Sequence, residues 1–168
     1  MRLFLRLAPF AWLLGIVLTT TARAEHAKIT LEVTAKGETK TSFMDQTPPD
    51  TGKNPRPIVK AKAGETVKIQ YMLENIYPHK TLEGVVVHFY VAKQDKVGQK
   101  SIPNLNQEEN LVIESAIDLT MKPGTKSGSR TNLRIDKPGV YLVRVETIKT
   151  QSDHEHFSAI DLVVEKAD

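Results

Sequence analysis

An all-β, two-layer antiparallel sandwich of seven or eight strands is what this sequence predicts, on three observations. Apolar and polar residues alternate along most of the chain after residue 28, as in Val67, Ile69, Tyr71 and Leu73 against Lys68, Gln70 and Glu74, which is the pattern of half-buried strands. No window carries an apolar stripe at helical spacing. Turn signals built on Gly and Pro punctuate the alternating runs, and two packed sheets are the architecture that hides one face of each.

Taken in order, Ile29, Leu31 and Val33 alternate with Thr30, Glu32 and Thr34 in a first strand that ends at Lys36-Gly37, with Phe43-Met44 as a short continuation. Residues 45–57 hold four prolines, which remove ladder donors and fix φ, so this stretch reads as a loop or a crossover between sheets. Ala63-Gly64-Glu65 turns into the strand 66–74. A loop through Tyr77-Pro78-His79-Lys80 leads to Val85, Val87, Phe89 and Val91, whose opposite face, Val86, His88 and Tyr90, also reads as partly covered. A polar excursion over 94–110 precedes Leu111, Ile113, Ile117 and Leu119, and Lys122-Pro123-Gly124 is a turn. Thr131, Leu133 and Ile135 form a short strand into Pro138-Gly139. The last hairpin sets Tyr141, Val143 and Val145 against a strand with Ile160, Leu162 and Val164 on one face and Phe157, Ala159, Asp161 and Val163 on the other.

The first 24 residues read as a cleaved signal peptide: Arg2 and Arg6 give a basic start, Leu13–Leu18 an apolar run, and Ala22-Arg23-Ala24 the small residues a signal peptidase reads. Residues 25–168 then form one sandwich domain, periplasmic or secreted. The apolar run is short for a spanning helix and no second one follows, so no integral membrane segment is expected after cleavage. The chain has no Cys, so its core must hold without disulfides. Three of the 23 basic residues, Arg2, Arg6 and Arg23, fall in the leader, and the rest balance the 20 acidic ones. Binding to nucleic acid through bulk charge is therefore not expected.

Gly139-Val140-Tyr141-Leu142-Val143 resembles the tyrosine corner of immunoglobulin-like domains, with Tyr141 two residues before the position of the second Cys in an antibody domain, here Val143. Ala63-Gly64-Glu65-Thr66-Val67 running to Asn75, Val87-His88-Phe89-Tyr90-Val91, and Lys122-Pro123-Gly124 are similar to bacterial immunoglobulin-like modules of the CARDB type. That resemblance implies an immunoglobulin-like sandwich and leaves function open. Pro138-Gly139-Val140-Tyr141-Leu142-Val143-Arg144, followed by Asp153 and nearby His, resembles the C-terminal hairpin of CopC-type periplasmic copper carriers, which implies a copper(II) site built from an N-terminal His and an Asp-x-His after that strand.

The candidate chemistry lies in Asp153-His154-Glu155-His156. Residues two apart on a strand share a face, so His154 and His156 can offer two imidazoles to one copper or zinc ion, with Asp153 as a ligand or as the acceptor for a ligand's other ring N–H and His79 approaching from the neighbouring loop. The other reading of the same residues is a polar loop tip, with His26 a frayed terminal residue. No nucleophile motif, phosphate-cradling loop or His-Glu-x-x-His occurs. The expectation is a non-catalytic immunoglobulin-like module that binds a protein or cell-envelope partner through its long loops or a sheet edge, with a periplasmic copper or zinc binder as the alternative.

Overall fold

The computed structural model describes residues 26–44, 56–148 and 156–167. Residues 1–25, on which the expected signal peptide falls, residues 45–55, and the stretch 149–155 that contains Asp153 and His154 lie outside the described residues. Among the described residues are nine strands and no helix: β1 (Ala27–Ala35), β2 (Glu38–Met44), β3 (Ile58–Lys62), β4 (Thr66–Asn75), β5 (Leu82–Gln94), β6 (Leu111–Met121), β7 (Lys126–Arg134), β8 (Gly139–Ile148) and β9 (Phe157–Glu165). They form a four-stranded sheet in the order β2-β1-β4-β7 and a five-stranded sheet in the order β3-β9-β8-β5-β6.

The alternation in the sequence becomes burial at every second residue along β1 and β4. Ile29, Leu31, Val33, Val67, Ile69 and Leu73 face Val87, Phe89, Val143, Val145, Ile160 and Leu162 of the other sheet in one continuous core. Tyr71 and Phe89 stack across it at 5.5 Å between ring centroids. Burial holds the phenols of Tyr71, Tyr90 and Tyr141 above their usual ionisation range.

The strand order is immunoglobulin-like in this chain's own terms. β1, β4 and β7 stand where the A, B and E strands of such a domain pair, and β9, β8 and β5 where G, F and C pair, with β6 as C′. The tyrosine corner is present: the Tyr141 hydroxyl donates to the Lys137 carbonyl at 2.7 Å. It ties the start of β8 to the turn that precedes it.

Nine strands replace the expected seven or eight, and one pairing is not antiparallel. β1 turns through Lys36 and Gly37, both at positive φ (51° and 76°), into β2, the left-handed pair that suits a two-residue hairpin. β2 lacks an apolar alternation because it turns the small Ser42 inward and leaves Phe43 exposed. β3 is five residues long and pairs parallel with β9, so the chain changes sheet between β2 and β3. β7 begins at Lys126, five residues before Thr131, through polar residues that pair with β4. A Cβ at Gly128 would stand 2.2 Å from the Tyr71 carbonyl oxygen, so this close approach of strands requires glycine.

Candidate functional site

At the end of the sandwich where β4 finishes, Asn75 is buried and uses every amide hydrogen. Its Nδ2 donates to the carbonyls of Lys80 (2.9 Å) and Met121 (2.8 Å), and its Oδ1 accepts from the Tyr77 N–H (2.9 Å). The loop so fixed lays the Tyr77 ring beside His26, at 5.8 Å between centroids. His26 packs edge-on against His156 at 4.4 Å, with His156 Nε2 and His26 Nδ1 3.3 Å apart. In a hydrogen bond at that distance one ring nitrogen donates and the other accepts. The backbone N–H of His156 donates to Thr147 Oγ1 (3.2 Å) and its carbonyl accepts from the Thr147 N–H (2.9 Å), which seats the ring at the core rim.

Of the candidate residues, His156 lies on the core face in phase with Ile160 and Leu162, as the alternation requires, and is buried. His26, read as a frayed end, is buried as well and is the residue His156 meets. His79 is exposed in the loop after β4. Asp153 and His154 fall outside the described residues. Among the described residues no three His, Cys, Asp or Glu converge in a way that could hold a metal ion.

The outer face of the five-stranded sheet carries a second polar centre that the sequence did not disclose. Asp161 of β9 is buried there. Its Oδ1 accepts from Gln94 Nε2 (2.8 Å) and lies 3.2 Å from Arg56 Nε, while its Oδ2 accepts from the Gly98 N–H (2.7 Å). Arg56 Nη2 donates to the Gln99 carbonyl at 2.6 Å. One carboxylate thus fastens the start of the 95–110 excursion over the sheet. Beneath it Leu105 packs on a small apolar cluster of Tyr90, Ala92, Leu142 and Ala159. Beside this, His88 bridges two strands, its Nε2 2.7 Å from Glu114 Oε1 and its Nδ1 3.1 Å from Glu146 Oε1. Arg144 Nε donates to Glu146 (2.6 Å), and the Arg144 guanidinium lies 3.8 Å from the Phe157 ring centre. Each of these polar groups is placed to join strands or a loop.

Among the described residues, the strand backbone left without a neighbouring strand lies at the four sheet edges, β2, β7, β3 and β6. Lys40 stands on β2 and Lys60 and Lys62 on β3, charges by which natural edges discourage pairing, and Lys126, Arg130 and Arg134 stand on β7. β6 is eleven residues long with no Lys, Arg or Pro, and it exposes Val112 (37 %) and Ile117 (44 %).

No protein-family model matches the chain, and no curated protein matches it. Among solved structures it is similar to the CARDB domain of a Pyrococcus furiosus protein in complex with di-metal ions, at 9 % identity and a TM-score of 0.45, over 86 % of this chain and 98 % of that one. It is similar to a family 123 glycoside hydrolase from Clostridium perfringens at 10 % identity and a TM-score of 0.45, over 83 % of this chain and 28 % of that one. For a beta-glucosidase from Listeria innocua the figures are 13 %, 0.32, 78 % and 17 %. The CARDB likeness expected from the sequence is thus found. Likenesses this distant carry nothing about activity, and the immunoglobulin-like assignment rests on the strand order and the Tyr141 corner.

Replacing Asp161 by Ala leaves Arg56, Gln94 and the Gly98 amide without their acceptor. The expected cost is about 3 kcal/mol in denaturant unfolding, with faster hydrogen exchange at Gly98. An unchanged midpoint together with an unchanged Gly98 amide contradicts the role given to this carboxylate.

Proposed function

We propose that this chain is a non-catalytic immunoglobulin-like interaction module, working in the periplasm or outside the cell, that takes a protein partner by strand addition along β6. The observation that supports it is the unguarded β6 edge: a long strand with exposed Val112 and Ile117 and no cation, in a molecule whose other edges each carry Lys or Arg. In strand addition the main chain of the edge supplies affinity and alternate side chains supply choice of partner. The basic start, the apolar run and Ala22-Arg23-Ala24 support export. The polar clusters at Asp161 and His88 are engaged in joining strands and loop.

A photo-crosslinking residue placed at Val112 or Ile117 in cells producing the chain is expected to give discrete higher-mass adducts, while the same residue at Lys40 or Lys60 gives none. Adducts only from the β2 and β3 positions, or from none, would overturn this reading.

A second reading, a periplasmic copper(II) or zinc binder, is favoured by one specific distance. Two nitrogens, each 2.0–2.1 Å from one tetrahedral ion, stand about 3.3 Å apart, the separation of His26 Nδ1 and His156 Nε2. These are also a His near the start of the sandwich and a His after β8, the pairing that the CopC-type resemblance implies. The described residues supply two donors of the three or four such a site needs. On this reading, calorimetric titration of the purified chain with Cu(II) or Zn(II) gives stoichiometric binding that a His26→Ala/His156→Ala variant with an unchanged circular dichroism spectrum has lost. No binding by the unaltered chain ends it.

A further inference from the structure

β6 and β7 lie on the same side of the sandwich. Asn75 holds the end of β6 through the Met121 carbonyl and the entry to β7 through its N–H to the Thr125 carbonyl (3.0 Å). The edges β2 and β3 meet each other on the opposite side. β6 runs towards Asn75 and β7 runs away from it, so the two open edges on this side are antiparallel, one in each sheet.

Their charges are complementary at one spacing. β6 carries Glu114 and Asp118, four apart, and β7 carries Arg130 and Arg134, four apart. All four stand on outer faces. Glu114 reaches His88 there, Arg130 rests on Gln70 through Nε (3.0 Å) and Nη2 (2.8 Å), and no register shift interrupts β6 between Ile113 and Leu119. Arg134 Nε stands 3.4 Å from the exposed Asp136.

We propose that the partner taken by the β6 edge is a second copy of this chain, in a twofold dimer in which β6 of each copy pairs with β7 of the other. This rests on the reading of β6 as an interaction edge. A twofold axis parallel to the strands swaps the two layers, so the four-stranded sheet of one copy continues into the five-stranded sheet of the other on both sides of the axis. The contact is closed and leaves neither edge open. Strand direction is preserved by that axis, so each new pair is antiparallel.

Such an axis also keeps every residue at its own height along the strands, which sets Met121 close to Lys126 of the second copy, since Met121 and Glu74, the neighbour of Lys126 in β4, flank Asn75. A continuous sheet keeps outer face with outer face, so only every second register is allowed. Of the two allowed registers nearest this height, one places Asp118 opposite Arg130 and Glu114 opposite Arg134, with Ile117 opposite Thr131. Opposite charges directly across a strand pair favour that register, and like charges there oppose it.

Sedimentation equilibrium of the purified chain tests this. The unaltered chain is expected to dimerise, more weakly at high salt. Asp118→Arg and Arg130→Asp, each striking two symmetry-related contacts, are expected to weaken the dimer about tenfold or more. The variant carrying both reversals is expected to recover most of the loss, a rescue that misfolding of either single variant does not produce. A chain that stays monomeric, or a dimer indifferent to both reversals, overturns the proposal. The crosslinked adducts separate the two levels: an adduct of twice the chain mass supports the second copy, an adduct with a different protein overturns the second copy and keeps the β6 edge, and no adduct removes both.

Discussion

Every backbone N–H and C=O in a sheet must find a partner, and that requirement shapes this molecule from its core outwards. Seven of the strand pairings are satisfied within the chain. One face of the five-stranded sheet packs on the other sheet, and the 95–110 excursion, which Asp161 fastens from below with both carboxylate oxygens, covers the patch of Tyr90, Ala92, Leu142 and Ala159 on its other face. Burying a carboxylate is costly unless it is paired and hydrogen-bonded, and here Arg56, Gln94 and the Gly98 amide supply those bonds. What remains open is the edge of each sheet. Lysines guard β2 and β3, β7 carries a row of cations, and β6 is where the chain has hydrogen-bonding capacity and exposed apolar side chains together.

Much of the fold was legible in the residues because β1, β4, β5, β8 and β9 are long and bury one apolar face, so their period of two is strong. The Tyr141 corner was legible for a different reason. A Tyr two residues into a strand after Pro138-Gly139 has a short geometric path to the backbone before the turn, and its hydroxyl takes the Lys137 carbonyl. β2 and β3 were not legible. Ser42 fills an inward position without apolar character, Phe43 faces out, and the parallel partner of β3 lies about a hundred residues further along the chain. The start of β7 was hidden because Ser127, Gly128 and Ser129 are chosen for close approach to β4 and carry no hydrophobic signal.

The candidate site was legible in part. The phase of His156 followed from the strand that continues beyond it, whereas its contact with His26 depends on β1 and β9 starting at the same end of the sandwich, which no local pattern states. His26 looked like a frayed end because burial of a terminal residue is decided by what packs over it, here Tyr77 on a loop set by Asn75. Asp161 was placed on the correct face of β9, and its burial came from a loop whose composition is polar. The acids of β6 and the arginines of β7 were visible at spacings of four, and they acquired a joint meaning only when the topology put both strands at open edges on one side.

The central claim is that β6 and β7 are open in the single chain and closed by another copy of it. Backbone hydrogen exchange measured on dilute and on concentrated protein tests this most directly. The account predicts that amides within 113–119 and 128–134 gain protection as concentration rises, while those of β2 and β3 keep theirs unchanged. Exchange along β6 and β7 that is the same at both concentrations would contradict it.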